Sequence, residues 1–338
     1  MYTIVRGTQL PMNITEKVDA IQTNFKLIID ELAKIIVGQD VLIKHLFTCL
    51  LCGGHALIEG VPGLGKTLIV RSLSKILDLT YSRIQFTPDL MPADILGTNM
   101  VKEDGKGSRY FEFYKGPIFG QLILADEINR ASPKTQSALL EGMQEEKVTV
   151  FGTEYLLEPP FMVLATQNPI EMEGTYPLPE AQIDRFFFKL KINYPDQAEL
   201  REIINKTTED YHYELKSVIG ADAILEMGSV VKQVPIATHV KDYAIRLVLA
   251  SHPDNPLATG QIKEYVLFGA SPRGVQSLIL AAKVSAVLDG RYNVSTEDID
   301  DVAKPALRHR IALNIRGETE GVDSDDIIEE ILSDAQKQ

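Results

Sequence analysis

The stretch that most constrains this chain lies between Gly60 and Thr67. It reads GVPGLGKT and fits the pattern G-x-x-x-x-G-K-[ST] at every fixed position. Glycines let the backbone turn tightly, so successive N–H groups can point at phosphate oxygens. Residues 55–59 suit a short buried strand, and residues 68–77 have the apolar spacing of a helix. These flanks are the context that a phosphate-binding loop requires, and they argue against a chance match in a glycine-rich turn.

The sequence of this loop predicts which residues would bind the phosphates of ATP and Mg²⁺. Lys66 is expected to reach the β- and γ-phosphates of ATP, and the Thr67 hydroxyl is expected to bind Mg²⁺. The N-terminal end of the following helix would lie under the phosphates. The predicted nucleotide contacts of this segment are Gly60, Pro62, Gly63, Leu64, Gly65, Lys66, Thr67 and Leu68.

Two adjacent acids follow a continuous apolar run at residues 121–125. Such a run predicts a strand that is buried on both faces. Ligands of parallel α/β sheets lie at the carboxyl ends of the strands, so Asp126 and Glu127 are expected beside Lys66 and Thr67. Asp126 would hold Mg²⁺ through its waters, and Glu127 would orient and deprotonate the attacking water. The alternative is that both acids cap a helix or face solvent.

Asn168 follows the next predicted strand, at residues 161–166. Its amide can both donate and accept, so it could position the water or touch the γ-phosphate. An Asn before a Pro is also a common turn residue, and the residues alone leave both interpretations open.

Two arginines are further candidates. Arg185 ends a predicted short helix at residues 179–185 and is either a surface ion-pair partner or an arginine finger that reaches a neighbouring subunit's γ-phosphate. Arg273 lies in the first turn of a helix that Ser271 would cap, where a cation opposes the helix dipole. Such a mismatch tends to mark a functional site, although an ordinary surface Arg fits as well.

The pattern along the chain changes near residue 195. Before it, strands and helices alternate, with two predicted hairpins near residues 98–114 and 147–157; after it, the periodicity is helical only. We therefore expect an α/β core with a parallel sheet in residues 1–195 and an all-helical domain in residues 196–338. The acidic tail from Glu318 to Glu330 is expected to be a solvated helix or a frayed end.

Composition excludes several classes of protein. The formal charge of −13 argues against a protein that coats nucleic acid. The sequence has no apolar run of membrane length and no secretory pattern, which favours a cytoplasmic protein. Cys49 and Cys52 form a C-x-x-C, but they lie in an apolar run at helical spacing, so buried thiols are favoured over a redox or metal site.

Taken together, these residues resemble the AAA+ ATPases and, within them, the MoxR family. The resemblance covers about residues 15–315, and its most specific part is the string from Leu124 to Phe186. The segments that carry it are GVPGLGKT at 60–67, LADEINR at 124–130, QSALLEGMQE at 136–145, ATQNP at 165–169, GTYPLPEAQIDRF at 174–186, SPRG at 271–274 and LRHR at 307–310.

The resemblance implies an α/β ATPase core, a helical lid and a ring, usually a hexamer, with ATP at the subunit interfaces. It assigns Asn168 as sensor 1, Arg185 as the finger and Arg273 as sensor 2, and it places Val37 and Gly38 against the adenine. It also implies insertions at the two hairpins, ATP-driven maturation of protein clients that are often metalloenzymes, and a von Willebrand A-domain partner.

Three other functional classes contain a phosphate loop and compete with a ring ATPase that remodels proteins. The alternative function is a nucleic-acid-dependent AAA+ motor, which the acidic balance opposes although Lys102, Lys106 and Arg109 could line a pore. A nucleotide-gated switch would not need Glu127, and a small-molecule kinase would not need both Arg185 and a helical C-terminal domain.

Overall fold

The computed structural model describes residues 14–61, 63–103, 105, 107–168, 174–208 and 213–336. Its strands are β1 (Ala56–Glu59), β2 (Tyr81–Gln85), β3 (Gly97–Glu103), β4 (Arg109–Lys115), β5 (Leu122–Asp126), β6 (Lys147–Val150), β7 (Thr153–Leu156), β8 (Met162–Gln167), β9 (Phe188–Lys191), β10 (Val266–Phe268) and β11 (Ala312–Leu313). Its helices are α1 (Ile14–Leu32), α2 (Asp40–Leu51), α3 (Lys66–Ile76), α4 (Pro92–Leu96), α5 (Pro133–Glu145), α6 (Glu180–Ile183), α7 (Gln197–Thr208), α8 (Ala221–Gln233), α9 (Thr238–Ala250), α10 (Gly260–Tyr265), α11 (Pro272–Leu288), α12 (Thr296–Leu307), α13 (Ile315–Glu320) and α14 (Ser324–Ala335). Single 3₁₀ turns occupy Pro117–Phe119 and Ile128–Arg130.

A five-stranded parallel sheet forms the centre of the first part of the chain, in the order β2-β5-β8-β1-β9. The chain leaves β1 for the far edge, returns through β5 and β8, and then places β9 on the other side of β1. The carboxyl end of β1 therefore lies where the strand order reverses, which is the place where open α/β sheets bind ligands.

Alternate side chains of the sheet feed two apolar clusters, one on each face. Leu57 and Ile123 belong to one cluster, whereas Ile58 and Leu124 belong to the other. The second cluster continues into α1, α2 and α3 and into the helices that follow β9. Since α12 packs against β9 and α8 packs against α2, the later helices share a core with the sheet.

Both predicted hairpins are present, as the antiparallel pairs β3–β4 and β6–β7. The segment after residue 195 is helical as expected, except for the antiparallel pair β10–β11. Strands of two and three residues are too short to show an alternating pattern in the sequence, which explains why helical periodicity alone was predicted there.

The acidic tail forms a helix, as one of its two predicted states requires, but this helix is packed and not merely solvated. Helix α14 buries three isoleucines, Ile327, Ile328 and Ile331, which are at most 3 % exposed. Two of its acids form ion pairs, Asp325 with Arg308 at 2.9 Å and Glu329 with Lys304. The three isoleucines form an apolar stripe too short to indicate a packed helix among so many acidic residues.

The cysteines are free thiols, Cys49 buried and Cys52 half-buried. The core interpretation is confirmed for Cys49, which is fully buried, whereas Cys52 is only half-buried. Burial raises the pKa of Cys52 to about 12. Across the residues that the structure describes, no helix is long and apolar enough to cross a membrane.

Candidate functional site

The loop between β1 and α3 has the shape of a phosphate cradle. Gly63 and Gly65 adopt φ angles of +87° and +74°, a left-handed conformation that other residues rarely take. Gly65 is the N-cap of α3, so the free N–H groups at the start of this helix open onto the loop. Pro62 lies outside the described residues.

Lys66 lies at the first position of α3, and its ammonium group donates to the backbone carbonyl of Gly60. Burial lowers the pKa of Lys66, whereas Asp126, Glu127 and Glu59 raise it through their charges. Asp126, the last residue of β5, and Glu127 after it are thus among the charges that act on the pKa of this lysine.

Asp126 is the last residue of β5 and is held from two neighbouring strands. One carboxylate oxygen accepts from the Thr166 hydroxyl of β8 at 2.7 Å, and the other accepts from Arg83 of β2 at 2.7 Å. Arg83 also donates to Gln85 at 2.7 Å. These partners could not be predicted from the sequence, because it does not show that β5 lies between β2 and β8.

Glu127 follows in a left-handed conformation, with φ 57° and ψ 50°, that turns the chain sharply out of the sheet. Its backbone N–H donates to the Thr166 hydroxyl at 2.9 Å. Its carboxylate accepts from Arg130 at 2.8 Å and from Gln85 at 3.2 Å. Two neighbouring acids are thus turned toward different cations by the backbone between them.

The donor set at this edge suits Mg²⁺. Carboxylate and hydroxyl oxygens are ligands that this ion takes, and Asp126 and Thr67 supply one of each. Among the described residues, each Asp126 oxygen accepts one hydrogen bond, and a carboxylate oxygen has a second lone pair that could face a metal ion. Asn168 follows β8, next to β5 and β1 in the sheet, and is 8 % exposed.

A cavity of about 220 Å³ opens beside the loop. Its walls are mostly apolar and include Ile36, Val37, Leu68, Tyr194 and Leu200. A flat aromatic base next to a phosphate cradle would fit such a lining. Val37 and Leu68, two of the predicted nucleotide contacts, both line this cavity.

Gly38 lies next to this cavity and borders a neighbouring groove instead. Its φ is +69°, and a Cβ at this position would overlap the carboxylate of Glu199 in α7. The left-handed backbone favours glycine at this position, whereas the overlapping carboxylate is the end of a flexible side chain.

The two candidate arginines lie apart from the cavity. Arg185 follows α6 and donates to the backbone carbonyl of Leu140 at 3.2 Å. Arg273 is in the first turn of α11, where the Ser271 side chain caps its N–H as predicted, and it pairs with Asp184 at 3.2 Å. Arg273 is thus held by the residue that precedes Arg185, and neither arginine lines the described cavity.

The hairpins expose apolar side chains. Val101 and Phe111 are cross-strand partners that are 59 % and 73 % exposed. At the base of the same hairpin, Phe113 stacks on Tyr155 of the second hairpin with ring centroids 4.2 Å apart. The two hairpins therefore contact each other through this ring pair.

Comparison with known proteins first gives the class. The family model described as "ATPase family associated with various cellular activities (AAA)" matches residues 55–188, and the AAA lid domain model matches residues 260–331. The parallel sheet with its phosphate loop and the helical lid are therefore those of an AAA+ ATPase.

Individual relatives give the family. Chaperone MoxR1 of Mycobacterium tuberculosis is 41 % identical over 302 residues, which cover 89 % of this chain and 79 % of that protein. Protein MoxR of Paracoccus denitrificans is 31 % identical over 298 residues, which cover 83 % and 86 %. A solved structure of a candidate ATPase from Cytophaga hutchinsonii has a TM-score of 0.87 at 44 % identity and covers 94 % of this chain and 96 % of that one. The chain belongs to the MoxR family of AAA+ ATPases.

Proposed function

We propose that this protein is a Mg²⁺-dependent ATPase that forms a ring and remodels protein clients. The observation that carries the proposal is the meeting of a phosphate loop with two acids at one sheet edge. Asp126 and Glu127 both raise the pKa of Lys66. They lie at the end of β5, and β8 alone separates β5 from β1, the strand that leads into the loop.

Each residue would have a separate task at this edge. Lys66 and the N–H groups of the loop would bind the phosphates. Asp126 and Thr67 would hold Mg²⁺, which when bound neutralises phosphate charge. Glu127 would take a proton from the attacking water, after its carboxylate turns from Arg130, and Asn168 would orient that water.

The arginines support a shared site. In the proposed ring, Arg185 would reach the γ-phosphate of the neighbouring subunit's ATP, with Arg273 beside it. Neither arginine lines the cavity of its own chain, which is what a contribution to a neighbour requires. A hexamer is the ring size that the family resemblance implies.

The proposal that this protein acts on protein clients rests on the exposed apolar residues of the two hairpins and on the chaperone name of a relative. The exposed Val101 and Phe111 could bind apolar segments of an unfolded or immature protein. We propose a chaperone-like role in the cytoplasm, with metalloenzymes among the clients and a von Willebrand A-domain protein as partner. We also propose that the core ends and the lid begins near residue 195.

The test is steady-state ATP hydrolysis measured against protein concentration, with Mg²⁺ or EDTA and with or without DNA or RNA. We expect a Mg²⁺-dependent specific rate that rises with concentration, because a neighbour completes each site. Strong stimulation by nucleic acid would instead favour the motor, and absence of hydrolysis would contradict the proposal. If the specific rate is flat, sizing the ATP-bound protein separates a monomer from a ring that has already formed.

A further inference from the structure

Asp184 lies at the centre of a small group of charged residues between the end of the sheet domain and the lid helices. We call Asp184, Ser271, Arg273 and Arg310 the Asp184 cluster. Ser271 donates its hydroxyl to the carboxylate at 3.0 Å, and both arginines form ion pairs with it. Asp184 directly precedes Arg185, so whatever fixes Asp184 also fixes the start of the proposed finger.

Arg310 is the permanent member of the cluster. Its side chain is 2 % exposed, and it donates to Asp184 Oδ1 at 2.9 Å. The same guanidinium donates to the backbone carbonyls of Phe186 at 2.7 Å and Phe187 at 3.2 Å. Burial lowers the pKa of Arg310 to about 10, which still leaves it charged at neutral pH. Asp184 therefore always has one buried counter-cation.

Arg273 is the releasable member. Its side chain is 49 % exposed, and it lies 3.2 Å from the other carboxylate oxygen, Asp184 Oδ2. A pair with a half-exposed arginine is weak and screened by solvent. Arg273 can therefore leave Asp184 at little cost, while Arg310 keeps the carboxylate compensated.

We infer that Asp184 is a positioning residue that holds Arg273 beside Arg185, so that both arginines face the neighbouring subunit's nucleotide together, with Arg310 as its fixed counter-cation. The inference rests on the proposed function, since it assigns a partner to two arginines of that site. Arg273 would exchange the Asp184 carboxylate for a nucleotide phosphate and return after hydrolysis.

A double-mutant cycle on ATP hydrolysis tests this coupling. Asp184→Asn is expected to lower kcat about 10- to 100-fold, because misplaced catalytic groups cost rates of that order. KM for ATP should stay within about twofold, since the cluster does not line the nucleotide cavity. In an Arg273→Ala background the same substitution should have almost no further effect, because Asp184 acts through Arg273.

A structural role would give a different result. If the losses from Asp184→Asn and Arg273→Ala multiply, or if Asp184→Asn keeps the wild-type kcat, the inference is overturned. Should Asp184→Asn fail to fold, Asp184→Glu runs the same cycle, because it keeps a carboxylate for Arg310 while displacing Arg273. Thermal unfolding of each variant checks its fold.

Arg308 offers a matched control. It also joins the lid to the sheet, through Asp325 at 2.9 Å and the backbone carbonyl of Lys189 at 3.2 Å. Arg308→Gln loosens a similar junction without touching Asp184, and it should leave kcat within about twofold of wild type. A loss as large as that of Asp184→Asn would show that any weakened junction slows turnover and would overturn the inference.

The proposed function is tested separately. A wild-type rate for Arg185→Ala would remove the finger from the proposal, while the cycle would still decide whether Asp184 acts through Arg273. A slow Arg185→Ala protein together with a fully active Asp184→Asn protein would retain the finger and reject the positioning role.

Discussion

Two groups of paired arginines and acids in this molecule differ in their exposure to solvent. At the sheet edge, Asp126 and Glu127 pair with Arg83 and Arg130, whose side chains are 46 % and 45 % exposed. In the Asp184 cluster, the pairing Arg310 is 2 % exposed. The cluster therefore combines a buried arginine with the 49 % exposed Arg273, whereas both arginines at the sheet edge are exposed.

The difference indicates what each region is built to do. Exposed pairs contribute about 0–1 kcal/mol, so ligands can displace them easily. Removing one partner of a buried pair costs about 3–5 kcal/mol, so such a pair holds its surroundings in place. The sheet edge is therefore suited to exchange partners during a reaction cycle, and the cluster is suited to keep the lid and residues 184–187 together.

The largest effect on activity is expected from two variants at the sheet edge that binds the nucleotide in our proposal. Lys66→Ala should remove measurable ATP binding, because the phosphates lose their cation. Glu127→Gln should keep binding but lower hydrolysis by about 10²–10⁴, the contribution of a general base. Isothermal titration and a steady-state assay measure the two properties, and failure of Glu127→Gln to bind ATP would contradict the assignment.

Arg185→Ala tests whether the second region acts on a neighbour. We expect normal ATP binding and a rate lower by about 10³, at the lower end for arginine fingers. Mixing with Glu127→Gln protein should partly restore turnover, because mixed rings contain interfaces with an intact finger and an intact Glu127. Without restoration in rings of confirmed assembly, Arg185 would act within its own subunit or only structurally.

Arg310→Met removes the buried cation that pairs with Asp184 and should therefore destabilise the protein. The free energy of unfolding is expected to fall by about 3–5 kcal/mol, since Asp184 and several backbone carbonyls lose their donor. Arg316→Met is the control, because Arg316 also forms ion pairs, with Glu264 and Glu320, but is 58 % exposed. Denaturant unfolding at equal protein concentration measures the free energy of unfolding of both variants. If both lose the same small amount, the buried pair is no more stabilising than an exposed one.

The smallest effect is expected for Arg83→Gln at the exposed edge. Unfolding should change by less than about 1 kcal/mol. The Mg²⁺ concentration for half-maximal hydrolysis should fall by at most about fivefold, because Arg83 no longer competes for Asp126. Titration of Mg²⁺ at fixed ATP measures this, and a rise would mean that Arg83 helps to place Asp126 for the ion.

Local patterns predicted much of this structure. The phosphate loop, the buried strand before Asp126 and the two hairpins each occupy a few consecutive residues, whose spacing and turn chemistry carry the information. The same holds for Ser271, which caps its helix as expected.

The remaining contacts depend on which distant segments become neighbours. Arg83 meets Asp126 only because β2 and β5 are adjacent in the sheet, and Arg310 meets Asp184 across 126 residues of chain. No periodicity records such a pairing. The packed α14 was missed for a related reason, because its isoleucines find their partners in other helices.

The long sequence separation within the Asp184 cluster bears on how the protein is made. Domains tend to fold as the chain is synthesised, N-terminal parts first. Residues 184–187 emerge 123 to 126 residues before Arg310, so for that interval they lack the guanidinium that later binds their carbonyls. A nascent chain could form its phosphate loop well before its intersubunit surface takes shape, which would delay assembly until the lid has been translated.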